Sequence, residues 1–322
     1  MKKLFIGDPH VLVNEIEDCE RLFDLVEKVI MEHSGTDAVV ITGDLFHNHS
    51  LVHVEVMKFW NDRFTRLQAR DIKVIAMPGN HDMPGISDSK AHALLPFKNM
   101  INVCDSPTLF DNVLYMPFML DKNEFIKTAN LFNVNTLVCH QTFNGAKYGG
   151  FEVPEGIDLD ALNCKSIISG HIHTEQTFGK VYYIGSPRWR TLQDANINKY
   201  IWIIEFDSEG NILSKSPIST EDTCKKIRFL TDAYENELED VFVGKNEEVR
   251  IDIKGPRDWV ESRKKKYDSN IKLRIFYTDR NNVEVRESEG IGVAFKKYLD
   301  NFKLTTGIDK QELYNLVNQL EI

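Results

Sequence analysis

Eight polar residues with the means to bind metal or move protons recur at the ends of short apolar runs. Lys3-Leu4-Phe5-Ile6 runs into Asp8 and His10, and Ala38-Val39-Val40-Ile41-Thr42 into Gly43-Asp44. Lys73-Val74-Ile75-Ala76-Met77 runs into Asn80-His81-Asp82, Thr136-Leu137-Val138-Cys139 into His140, and Ser166-Ile167-Ile168-Ser169 into Gly170-His171-Ile172-His173. Asp8, His10, Asp44, Asn80, His81, His140, His171 and His173 offer imidazole nitrogens with carboxylate and amide oxygens, and no thiolate. Such a mixed N/O set suits Mn²⁺, Fe²⁺ or catalytic Zn²⁺. It is large enough for two divalent ions, and one carboxylate could bridge them at the ~3.5–4 Å spacing of phosphoryl-transfer sites.

These clusters need elements that converge on one place. Each apolar run is short, β-rich and closed by Gly, Pro or a polar residue, which predicts a buried strand. Residues 15–33 and 51–70 space their apolar side chains as helices do. Strand, helix, strand, helix, strand predicts an α/β fold with parallel strands, and ligand sites of such sheets gather at the carboxyl ends. Further strands are expected at 181–184, 200–206, 249–253 and 272–277, with a helix at 256–267 and a helix pair at about 291–303 and 309–320. All ten histidines fall between His10 and His173, which places the chemistry in the first half of the 322 residues.

The net charge of −10 argues against a protein that holds nucleic acid by charge alone. It leaves room for an enzyme whose metal ions supply the positive charge. Within this acidic chain, residues 251–274 carry eight bases and four acids, while 231–248 carry seven acids and one base. Arg263, Lys264, Lys265 and Lys266, and separately Arg188 and Arg190, are candidate phosphate contacts; a solvated helix face or ordinary salt bridges are the bland alternatives. The five cysteines are scattered without a CxxC pair, which excludes a disulfide framework as the reading and predicts a reduced, cytoplasmic chain. No apolar run reaches the ~18 residues of a membrane span.

Taken singly these motifs are weak; in order, they resemble the calcineurin-like metallophosphoesterase superfamily. Its signature is matched by Asp8-Pro9-His10, Gly43-Asp44-Leu45-Phe46, Gly79-Asn80-His81-Asp82, His140 and Gly170-His171-Ile172-His173. Gly43-Asp44-Leu45-Phe46-His47 and His140-Gln141-Thr142-Phe143 are similar to its DNA nuclease branch, that of SbcD and the meiotic recombination eleven nuclease, including short phage-type subunits. The resemblance implies an α-β-β-α sandwich over residues 1–215, a smaller α+β capping domain over 216–290 and a helical partner-binding segment over 291–322. It implies two ions, Mn²⁺ foremost, one held by Asp8, His10, Asp44 and His173 and the other by Asp44, Asn80, His140 and His171. His81 would then face the scissile phosphate, Asp82 orient His81, and His47 approach the substrate strand. A DNA substrate, an SbcC-like coiled-coil ATPase partner and a homodimer are implied with them, in the host cytoplasm if the chain is phage-encoded. Two alternatives stand beside the nuclease: a phosphatase or phosphodiesterase of the same superfamily acting on another substrate, and a non-catalytic scaffold.

Overall fold

A computed structural model describes residues 1–49, 51–84, 91–149 and 151–278. The expected helix pair at 291–303 and 309–320 lies outside the described residues.

Two six-stranded sheets carry the first part of the chain. In the first, Lys2–Ile6, Thr36–Ile41, Lys73–Ala76 and Asn102–Val103 run parallel in that order. Tyr200–Phe206 adds antiparallel to Lys2–Ile6, and Ile212–Ser219 closes the edge. In the second, Val113–Tyr115, Thr136–Cys139, Ser166–Ser169 and Val181–Tyr183 run parallel. Thr108–Phe110 and Gln176–Phe178 are its antiparallel edges.

The alternation along each strand explains the layers, because successive side chains point to opposite faces. Phe5, Val40 and Ile75 from the first sheet meet Val138, Ile168 and Tyr182 from the second in one core. Their neighbours Leu4, Ile6, Val39, Ile41 and Val74 face the helices Ile16–Glu32 and Val54–Gln68 in another. Leu137, Cys139 and Ile167 pack outward against Phe125 of the helix Lys122–Ala129. Both faces of each central strand are buried, which is why these strands read as unbroken apolar runs. The result is an α-β-β-α sandwich.

The two long helices bring Leu22, Phe23 and Val26 against Phe59, Trp60 and Phe64, with the Phe23 and Trp60 rings edge to face at 5.2 Å. Val56, Leu67, Leu94 and Phe97 are spent in the same core, while Leu51, Val52, Val54 and Leu95 remain exposed. Arg63 is buried between the helices with its guanidinium on Asp24 at 2.6 Å and Glu27 at 3.4 Å.

Two compact units divide the chain: residues 1–229 with 242–250, and residues 230–241 with those from 251 onward. The sequence expectation set a boundary at 215, but that residue lies inside the edge strand Ile212–Ser219, whose pairing keeps it with the first sheet. The strands Lys226–Ala233, Glu247–Gly255 and Lys272–Tyr277 form a three-stranded sheet in that order, with the helix Arg257–Lys264 between the last two. In the second unit, Arg263 is buried and pairs through Nε and Nη2 with the Asp232 carboxylate at 2.6 and 2.9 Å. Among the described residues, no helix is long and apolar enough to cross a membrane.

Candidate metal centre

The parallel strands Lys2–Ile6, Thr36–Ile41 and Lys73–Ala76 of one sheet, and Thr136–Cys139 and Ser166–Ser169 of the other, deliver their polar successors to one place. The turns that do so are tight. Asp8, His10, Asp44 and His171 all hold positive φ, at 25°, 44°, 51° and 80°. Side chains other than glycine rarely accept that region, and such strain persists where the surroundings impose it, often at functional sites. Gly79 leaves the room this packing needs: a Cβ there would stand 2.2 Å from Asp44 Oδ1 and 2.4 Å from the Asp44 backbone nitrogen.

Asp8, His10 and His173 form one group whose donor atoms lie within 4.8 Å of one another, and Asp44, His140 and His171 form a second. His10 Nε2 and His173 Nε2 approach to 2.9 Å. Asn80 Oδ1 stands 3.0 Å from His140 Nε2 and 2.9 Å from His171 Nδ1. Asp44 Oδ2 lies between the groups, 3.4 Å from His10 Nε2 and 3.3 Å from His140 Nε2. A single carboxylate oxygen therefore faces both.

Burial sets the protonation of this cluster. It pushes the Asp8 carboxyl up to about 7, and pushes His171 down to about 3 and His173 to about 4. His10 is likewise held well below its usual value by burial. Neutral imidazoles are the form that binds metal. His140 runs the other way, to about 9: burial lowers it, but the Asp44 and Asp8 carboxylates and the Thr42 carbonyl together raise it more. The donor set fits divalent cations on one further observation. Asp8 Oδ2 is buried with no hydrogen-bond partner, although buried carboxylate oxygens are ordinarily satisfied.

His81 belongs to neither group. Its Nδ1 donates to the His47 carbonyl oxygen at 2.6 Å, and its ring stacks on His47 at 5.3 Å and on His49 at 4.1 Å. A third combination, His10, His47 and His81, also falls within 4.8 Å. His47 is held down to about 4 by burial and then by the Arg190 guanidinium, whose Nη1 stands 3.2 Å from His47 Nδ1.

Several expectations need correction. Asp82 does not orient His81. Its buried carboxylate accepts from the backbone nitrogens of Leu45, Phe46 and Gly79 at 3.2, 2.8 and 2.9 Å, so it ties the Gly43 and Gly79 turns together. Arg188 is not a phosphate contact, because its side chain is 1% exposed. Its guanidinium is shared by Asp18 at 3.0 Å, Glu15 at 3.1 Å and the Pro9 carbonyl at 2.9 Å. Arg190 is committed to Glu15 and His47. Arg263 is buried on Asp232, as described above, and Lys264 lies on Glu261 at 3.0 Å. Lys265 and Lys266 are exposed, the latter 3.3 Å from Asp240. His92 is buried on Asp105 at 3.1 Å. His49 is not among the candidate site residues of the sequence; its spacing from His47 is the signal that pointed to it.

Arg188 therefore links the first helix to the turn that carries Asp8 and His10. Removing one partner of a buried pair leaves an uncompensated charge and costs about 3–5 kcal/mol. Arg188→Met is expected to lower the free energy of unfolding by about that much, measured by denaturant titration. Wild-type stability would show that Asp18 and Glu15 find other partners.

A two-sheet sandwich flanked by helices, with clustered His and Asp at its strand ends, defines a metal-dependent phosphoester hydrolase. The chain belongs to the calcineurin-like phosphoesterase family, which matches residues 1–175. It is 31% identical over 229 residues to a phosphoesterase of invertebrate iridescent virus 6, covering 65% of this chain and 77% of that protein. It is 25% identical over 357 aligned residues to exonuclease subunit 1 of enterobacteria phage T4, across 100% of this chain and 99% of that one. It is 22% identical over 342 residues to the DNA double-strand break repair protein Mre11 of Nanoarchaeum equitans, across 92% and 90%. The SbcD-type branch expected from the motifs is the one to which the latter two relatives point.

Proposed function

We propose that this chain is a DNA nuclease subunit that hydrolyses phosphodiester bonds, as exonuclease and endonuclease, with two Mn²⁺ ions. The observation that carries the reading is the Asp44 carboxylate oxygen between two His/Asp groups, in a chain aligned end to end with a phage exonuclease subunit. Asp8, His10, Asp44 and His173 would hold one ion, and Asp44, Asn80, His140 and His171 the other. Bound there, the pair would polarise the phosphate and supply a water activated for attack.

The protein groups have separate tasks. Asp44 Oδ1 accepts from the His81 backbone nitrogen at 2.8 Å, so the proposed bridging ligand also fixes the turn that presents His81. With Nδ1 donating to the His47 carbonyl, His81 keeps Nε2 for the substrate. It can stabilise charge on the phosphate and protonate the leaving oxygen. His47, stacked beside it and kept neutral by burial and Arg190, approaches the substrate strand. Lys265 and Lys266 remain as the candidate backbone contacts of the second unit.

The partner is an SbcC-like coiled-coil ATPase, engaged by residues 291–322, whose apolar residues recur at helical spacing. Exposed Leu51, Val52, Val54 and Leu95 would supply a homodimer contact.

The direct test is labelled single- and double-stranded DNA, assayed with chelator, Mn²⁺, Mg²⁺ or Zn²⁺, beside p-nitrophenyl phosphate as a phosphomonoester. Cleavage of DNA that vanishes with chelator and returns best with Mn²⁺ is expected. Turnover of the monoester without DNA cleavage would overturn the nuclease reading.

A further inference from the structure

A cavity of about 430 Å³ opens beside His173, built entirely from the first unit. That volume lies within the range of small-molecule sites. Tyr148, half exposed, and Ile197 give it apolar surface, and Thr191, Gln193, Gln176 and Asp194 give it polar surface. We propose that this cavity receives an unstacked nucleobase of the substrate, next to the cleaved bond, with Tyr148 as its stacking platform. The inference rests on the nuclease reading above and adds to it what the site recognises.

The wall is built to hold its shape. Tyr148 lies on the short hairpin Lys147–Tyr148 with Phe151–Glu152. The Gln176 side chain pairs with the Lys147 backbone as a neighbouring strand would: Oε1 accepts from the Lys147 nitrogen at 2.8 Å, and Nε2 donates to its carbonyl at 2.8 Å. Gly149, at φ +57°, brings the hairpin close to Gln193, whose Nε2 would be 3.9 Å from a Cβ there. Opposite, the Asp194 carboxylate receives the Thr191 backbone nitrogen and hydroxyl at 2.9 and 3.1 Å.

The charged groups of the lining balance, Lys147 against Asp194, which suits a neutral base better than a second phosphate. Asp194 is already paired with the buried Lys199 Nζ at 2.6 Å, and Lys199 also donates to the His173 carbonyl at 2.9 Å. A phosphate entering here would meet the Asp194 carboxylate as well as the Lys147 ammonium. A planar base would meet the Tyr148 ring on its face and the Gln193 amide at its edge. Because His173 is both a cavity wall and a proposed ligand, a nucleotide whose phosphate sits on the metals would have the cavity beside it.

The test uses the Mn²⁺-loaded full chain and a single-stranded oligonucleotide with one abasic residue moved through successive positions around the cleaved bond. Base–aromatic stacking predicts that one position lowers kcat/KM about tenfold in the wild type and in Tyr148→Phe. Tyr148→Ala should show no such difference between intact and abasic strands. A 2-aminopurine at that position should be quenched on binding by the wild type and not by Tyr148→Ala. Gln193→Ala, on the facing wall, gives a second reading if Tyr148→Ala does not fold; it should reduce the same difference. A wild type indifferent to every abasic position overturns the proposal, as does a Tyr148→Ala enzyme as sensitive as the wild type. If the loaded chain cleaves no DNA but hydrolyses p-nitrophenyl phosphate, the nuclease reading has failed first; an active but abasic-insensitive nuclease fails the cavity alone.

Discussion

Asp44→Ala is expected to abolish phosphodiester cleavage and to bind neither metal tightly. Among the described residues, its Oδ2 is the carboxylate oxygen within 3.4 Å of ring nitrogens from both His/Asp groups. Without it, each proposed ion loses an anionic ligand, and nothing remains to hold the two together. The lost charge stabilisation is several kcal/mol, so a rate loss of at least ~10³ follows. The Oδ1 contact to the His81 backbone disappears as well, which compounds the loss. Metal content by elemental analysis, beside the cleavage rate, checks both parts. Two retained equivalents with near wild-type cleavage would mean that Asp44 does not bridge. Asp44→Asn separates charge from shape: it preserves the hydrogen bond to His81 but should still fail to retain both ions.

His81→Ala should behave differently. If His81 acts on the phosphate and its leaving oxygen, the variant should keep both metal equivalents and its DNA affinity. A transition-state donor of this kind is worth ~10²–10³ in rate, so kcat should fall by that factor with KM little changed. The proximity of His10, His47 and His81 makes this a real choice, because those three could also hold an ion. Loss of one metal equivalent in His81→Ala would reassign His81 as a ligand. The geometry argues the other way. Nδ1 is committed to the His47 carbonyl at 2.6 Å, and the ring stacks with those of His47 and His49.

What the sequence determined by itself was the frame and the candidate ligands. Asp8, His10, Asp44, Asn80, His140, His171 and His173 were legible because each follows a buried strand within a few residues. Parallel strands make that local pattern into convergence in space. The alternation of Leu4, Phe5 and Ile6 likewise carried the information for two cores, since side chains of a strand must face opposite ways. Partners distant in the chain were not legible. Arg188 and Arg263 look like phosphate-binding arginines in sequence. Arg188 meets Asp18 across 170 positions and Arg263 meets Asp232 across 31. Nothing local distinguishes a guanidinium that faces a phosphate from one neutralised inside. Asp82 follows His81 directly, yet its carboxylate turns to backbone nitrogens 36 and 37 positions earlier. His49 became part of the site only because the chain folds back to stack it on His81. Only the tertiary structure made these assignments, because adjacency in the chain fixes which groups are near the site, whereas burial and the competition among partners fix what each of them is bound to.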